Sequence, residues 1–372
     1  MSVNTILAAG QARTPRAILE VGGTRMPWVS FDMQHNGVFE AGTLSLKMPV
    51  DASDWPFWAQ QTEILVDVYV GFPADPDNYG TSDLTLMMTA RMDEFKLDPA
   101  TSTISLSGRD LTSLFIDNKI DGTYQNMTSS QVVAQLASAF PVLAQNITAT
   151  SGWIGNYLKQ DSVQIQASTS MWKLMTYLAQ HEGLQCFVLG RQLYFGDFGA
   201  SISDAPYQLA YQPPDADNAA PRINAMRLAC CHDLTMSGDV SVRVRSFHGA
   251  QNAAYAYTAK SARQQKSIEK SLKTVQTAQH FDYVFPGLTQ EQVQQKAQAL
   301  LQQISVHEYK LEATVPGDLA TFPWTPVTLA GTGTPFDTTY RIARIGRSFD
   351  ARGYTMTISA RTAPNQEEVK LS

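Results

Sequence analysis

A chain of 372 residues with 44% apolar and only 17% charged residues can fill more than one core and is too poor in charge to be a disordered polyelectrolyte. Its net charge of −6 speaks against sequence-independent DNA binding, which needs clustered Lys and Arg to displace counterions. The three cysteines, Cys186, Cys230 and Cys231, form no CxxC spacing, so neither a disulfide framework nor a zinc site is expected.

The opening MSVNTILAAGQARTPRAI has no basic start followed by an apolar stretch, and no apolar run has the length of a membrane span. Residues 1 to 16 therefore read as an arm rather than a leader. Residues 17 to 21 and 26 to 34 read as strands around Gly22-Gly23. Gly42 to Met48, Glu63 to Val70, Leu84 to Phe95 and Thr103 to Ser107 continue the period-two alternation, with a turn at Asp98-Pro99-Ala100-Thr101. Short, evenly spaced strands of this kind point to an antiparallel barrel or sandwich over the first 115 or so residues.

After Gly108-Arg109-Asp110 the period becomes helical. Thr128-Ser129-Ser130-Gln131 is a capping box ahead of Val132, Val133, Leu136 and Phe140, and Pro141 stops that helix. A second helix opens at Ser170 with Met171, Leu174, Met175 and Leu178, and Gly183 suits its C-terminal turn. Two short strands follow around Gly190-Arg191. Prolines 206, 213, 214 and 221 mark a boundary. Strand character returns at 224 to 233 and 240 to 246. Residues 259 to 282, with Lys260, Arg263, Lys266, Lys270 and Lys273, read as a solvated loop or helix. Thr289 to Gln292 is another capping box, and Val293, Ala297, Leu300, Leu301 and Ile304 form one apolar face of a helix that leads into the closing strands. Those run from Leu311 to Arg361 and are broken at Gly331-Thr332-Gly333 and at Arg352-Gly353.

Chemistry-bearing patterns are sparse. No two of the six histidines stand at i, i+3 or i+4. Cys230-Cys231-His232 sits in a strand, where neighbours point to opposite faces, so the default is structural. There is no nucleophile elbow and no P-loop, and Gly331-Thr332-Gly333 lacks the third glycine and the helix of a dinucleotide site. No catalytic, cofactor-binding or metal-binding residue is assigned. Trp55-Pro56-Phe57-Trp58 and Trp324 remain open between a sugar platform and an interface anchor.

Several stretches, taken in order, resemble the baseplate hub proteins of tailed phages and contractile injection systems, the late control D and VgrG-like group. They are GRDLTSLFIDNKI at 108 to 120, SMWKLMTYLAQHEGLQCFVLGRQLYFG at 170 to 196, VRVRSFHG at 242 to 249, the helix and strand from Phe285 to Asp318, and YRIARIGRSFDARGYTMTISA at 340 to 360. The resemblance implies a mainly β (α+β) chain: an arm (1–16), a first tail-tube-like antiparallel β-barrel domain (17–116), an inserted small α/β domain (117–203) and a second such barrel (204–372) carrying the helix at about 289–304. It further implies a homotrimer that adapts a sixfold tail tube to a threefold central spike in the virion. Its expected neighbours are a tail tube or distal tail protein, the spike and the tape measure protein, with no sequence-specific nucleic-acid binding, no cofactor and no catalysis. Two other functions stay in view. One is a carbohydrate-binding or carbohydrate-cleaving tail adhesin. The other is an effector-delivery spike, which would need a needle after the last barrel.

Overall fold

A computed structural model describes residues 14–120, 124, 126–151, 153–154, 169–198, 206–216, 219–233, 240–248, 253–261, 279–285, 287–305, 309–323 and 325–362. The chain is mainly β, as its alternating patterns predict. Seven strands come from the N-terminal region: β1 (Arg16–Val21), β2 (Thr24–Met26), β3 (Ser30–Asn36), β4 (Thr43–Pro49), β5 (Leu65–Gly71), β6 (Thr85–Asp98) and β7 (Thr103–Asp110), with the short helix α1 (Trp55–Ala59) between β4 and β5. They lie in the order β3-β4-β7-β6-β5-β1-β2. Strands from both ends of this series feed one core, including Leu19 of β1, Phe31 and Met33 of β3 and Val68 of β5, so the sheet curls around its own apolar face. Trp28, in the break between β2 and β3 that Pro27 imposes, donates its indole N–H to Ala17 O at 3.4 Å and spans the mouth of the curl.

The next segment packs a core of its own. It comprises α2 (Thr112–Asp117), β8 (Lys119–Ile120), β9 (Met127–Thr128), α3 (Ser129–Ala137), β10 (Ala144–Ile147), β11 (Trp153–Ile154), β12 (Thr169–Ser170), α4 (Met171–Glu182), β13 (Gln185–Leu189) and β14 (Gln192–Gly196). Both expected start and stop signals form. Thr128 Oγ1 accepts from Gln131 N at 3.3 Å while Gln131 Oε1 accepts from Thr128 N at 2.8 Å. Gly183 ends α4 at φ 71°, a left-handed position that costs glycine nothing. The unit is fastened to the first sheet by polar ties. Trp172 Nε1 donates to Phe39 O at 2.9 Å, and the Arg191 guanidinium meets the buried Asp67 carboxylate at 2.6 Å.

The C-terminal region supplies β15 (Tyr207–Gln212), β16 (Arg222–Ile223), β17 (Arg227–His232), β18 (Val240–His248), β19 (Ala253–Ser261), β20 (Gln279–Val284), α5 (Gln290–Ser305), β21 (Tyr309–Pro316), β22 (Pro326–Ala330), β23 (Thr339–Asp350) and β24 (Gly353–Thr362). Strands β15–β17 and β21–β24 follow the path β17-β21-β24-β23-β22-β15-β16. Numbered one to seven within each region, both series run 3-4-7-6-5-1-2. One step differs: β1 pairs β5 antiparallel, whereas β15 pairs β22 parallel. Each series wraps its own core.

Two sequence expectations change here. The strand at 242 to 249 does not join the closing sheet. β18 pairs β19 and β20, and Val242, Val244, Val293 and Ala297 form a separate core with α5. Helix α5 is thus covered by β18 and β19. Residues 259 to 261 and 279 to 282, expected in a loop or helix, belong to strands β19 and β20; β20 runs parallel to β18, with Phe281 and Tyr283 as its apolar face. The Lys/Arg positions from 263 to 273 lie outside the described residues.

Candidate assembly interface

The two seven-stranded series are one 14-stranded sheet, and β23 is where they join. One edge of β23 is shared. Residues 339 to 341 pair with β22, and then, past a bulge at Ala343, residues 344 to 349 pair antiparallel with residues 36 to 31 of β3. The bulge turns the strand's edge away from β22 and opens the fork that β3 enters. A cleft of about 470 Å³ lies at this fork, lined by Gln34, Asn36, Arg341, Ala343, Arg344 and Arg361 among others.

Beneath the junction sits a buried polar cluster. Arg347 points inward from β23 and is 1% exposed. Its guanidinium donates to Asp318 O at 3.4 Å, to Thr321 O, and to His35 Nδ1 at 3.1 Å, and it lies 5.2 Å from the centre of the Phe322 ring. His35 Nε2 lies 3.0 Å from Met87 O. A carbonyl can only accept, so Nε2 carries the proton and Nδ1 is free to accept from Arg347. Burial, helped by the Arg347 charge, pushes the His35 pKa down to about 3, so the ring is neutral at physiological pH. Asp318 holds the same loop in place, accepting from Thr321 N at 3.0 Å and Thr321 Oγ1 at 2.5 Å. That loop carries Leu319 and Phe322 onto the core of the first series. The halves are therefore joined by backbone pairing, by apolar contact and by a satisfied polar network.

The first series has the same fork, with no strand in it among the described residues. β6 carries a bulge at Asp93, placed as Ala343 is in β23. Met92 N donates to Ile64 O at 2.9 Å just before it, as Ile342 N donates to Thr325 O at 3.1 Å. Beyond the bulge, Glu94 to Asp98 pair only with β7 among the described residues. Arg109 of β7 braces the bulge, with two contacts of 2.8 Å to Asp93 and two of 3.1 Å to Asp117.

The sequence candidates fall apart as active-site components. Cys230 is half-buried against the second core while Cys231 is exposed, as alternation along β17 requires. His232 stacks on Tyr309 at 4.6 Å, and His280 bonds to Ser241 Oγ. Of the aromatic cluster, Trp58 is buried and Trp55 packs on the first core, which leaves Phe57, 62% exposed, as the solvent-facing ring. A single phenyl is a poor sugar platform and a good contact knob. Trp324 lies outside the described residues. Among the described residues no group of three His, Cys, Asp or Glu side chains is placed to hold a metal, and no helix is long and apolar enough to cross a membrane. Sequence reasoning missed Arg347 and His35 as partners because nothing local links positions 312 residues apart.

A twice-used seven-stranded module, joined edge to edge within one chain and separated by a small α/β unit, defines the architecture. Neither a family model nor a curated protein matches the sequence. Solved structures do share the fold. A tail protein from Neisseria meningitidis MC58 is similar at TM-score 0.67 and 15% identity, over 93% of this chain and 96% of that one. The 43 kDa tail protein of prophage MuSo2 from Shewanella oneidensis is similar at TM-score 0.62 and 16% identity, over 94% and 97%. A Francisella PdpA–VgrG complex is similar at TM-score 0.51 and 10% identity, over 95% of this chain and 58% of that one. At these identities the likeness establishes the fold: this chain is built as phage tail proteins are.

Proposed function

We propose that the protein is a structural hub of a phage tail or related injection machine. Three copies form a ring in which each supplies two β modules. Six modules then face the sixfold tail tube, or a distal tail protein, while threefold chain symmetry faces the central spike. Particle DNA passes along the axis, with the tape measure protein as a further neighbour, and the protein acts by geometry rather than by catalysis. The arm, the two modules and the α/β insert keep the divisions given above, except that β18–β20 with α5 is an appendage of the second module.

The observation that carries this reading is the repetition of one strand order, 3-4-7-6-5-1-2, in two halves joined edge to edge. Closed symmetry is the safe way to satisfy long strand edges, and three chains with two such halves close into a six-part ring. Native mass measurement and electron microscopy of the purified protein and of assembled tails test it. Three copies per particle in a ring with six similar lobes is the expected result. A monomer inside assembled particles, or turnover of a substrate by the isolated chain, would overturn it.

A further inference from the structure

We infer that the ring closes by a second strand junction, between β17 of one copy and the segment Glu94–Asp98 of β6 in the next, in the register that β3 and β23 use within each chain. The inference rests on the hub reading and specifies its partner surface.

The two halves correspond residue by residue. The bulges at Asp93 and Ala343 align β6 with β23, so Lys96 matches Gly346 and Leu97 matches Arg347. Pairing then aligns β4 with β21, which end at Pro49 and Pro316, and β3 with β17, so Met33 matches Cys230 and Gln34 matches Cys231. A backbone bond outside the strands agrees: Val29 N donates to Lys47 O at 2.8 Å and Met226 N to Thr314 O at 2.8 Å. In the joined fork Gly346 faces Gln34 and Arg347 faces Met33. Transferred to the open edges, Lys96 faces the neighbour's Cys231, Leu97 faces its Cys230 and Asp98 faces its Ala229.

Burial at the matched positions distinguishes occupied from open edges. Phe31, Met33, Ile345 and Arg347, at the joined edge, are all 1% exposed or less. Their counterparts Leu228, Cys230, Phe95 and Leu97 are only half-buried, although each packs on its own module's core. The half-covered row on β6 and the half-covered row on β17 are each what the other lacks. Among the described residues β17 pairs only with β21, and Glu94–Asp98 have no strand on the fork side. Charge fits as well: Asp98 would lie diagonal to Arg227, within reach on the same face. A long exposed edge with a half-apolar row is a hazard unless a specific partner covers it. Since one end of each chain offers the strand and the other end the fork, the contact is head-to-tail and closes as a ring.

The test uses the full chain with Lys96→Cys, an exposed position, and a short bis-maleimide that bridges nearby thiols. Covalent dimers and trimers on a denaturing gel are expected for Lys96→Cys, at least tenfold above the wild type, and should be lost in Lys96→Cys/Cys231→Ser. Light scattering on the same samples gives the copy number. Trimers without a link at Lys96→Cys, or a link that survives Cys231→Ser, would overturn the strand junction while leaving the ring standing. A chain that stays monomeric at every concentration, without links, would overturn both.

Discussion

The neutral His35 under the junction makes a pH effect that can be sized. In the unfolded chain a histidine titrates near 6.5, and in the folded chain this one titrates near 3. The unfolded state therefore binds the extra proton first as pH falls. Stability from His35 is full above about pH 6.5 and is lost progressively as pH drops towards 3. At pH 5 the loss is roughly 1.5 units times 1.36, or about 2 kcal/mol. Asp110 acts in the opposite sense. Burial pushes its carboxyl up to about 6, despite N–H donors from Gly42 at 2.6 Å and Thr112 at 3.0 Å. A raised carboxyl favours the folded state as pH falls through 6, returning about 1.4 kcal/mol by pH 5. The wild type should thus change little in total between pH 7 and pH 5. His35→Gln keeps a donor for Met87 O and an acceptor for Arg347 but cannot titrate. Urea unfolding at pH 7 and pH 5 isolates the histidine. The variant should gain about 2 kcal/mol relative to wild type on going to pH 5. Equal pH responses in the two proteins would refute the buried, neutral assignment.

Other substitutions follow from the same contacts. Arg347→Ala removes donors from two buried carbonyls and from His35 and leaves a cavity, so urea unfolding should show a loss of at least about 3 kcal/mol. Trp58→Ala should cost about 3–5 kcal/mol by the same assay, whereas Phe57→Ala should stay within about 0.5 kcal/mol and instead weaken self-association measured by light scattering. At Gly331, φ is +98° and an added Cβ would stand 1.9 Å from Tyr211 O, so Gly331→Ala should cost about 2 kcal/mol or more. Gly333 has φ +66° with open space around it, and Gly333→Ala should cost only about 1 kcal/mol in thermal unfolding.

How much of this could be read beforehand depended on range. Capping at Thr128 and Thr289, the left-handed Gly183 and the alternation of β24 are local, and they stand where the residues place them. β19 was invisible because Ala253, Ala254, Ala256 and Ala259 give alternation without apolar contrast. β20 hid behind the charges before it. The fork was beyond local reasoning altogether. β3 looks like any half-buried strand, and only the folded chain brings Phe349 opposite Phe31. The repeat is equally hidden, because the matched pairs Arg347 and Leu97, or Met33 and Cys230, share a position and not a side chain. What is kept is geometry: a proline at a strand end and a bulge two strands later.

The join between β3 and β23 also constrains synthesis. A ribosome adding roughly 5–20 residues per second needs about 15–60 s to travel from His35 to Arg347, 312 positions apart. For the part of that interval after β7 is made, the amino-terminal strands have a bare flank and a core still lacking Leu319, Phe322, Phe349 and Tyr354, waiting for a hairpin not yet made. Chains cut short before residue 344 should therefore be stickier than their size suggests. The last-made hairpin acts as the clasp that makes the first-made module safe to release.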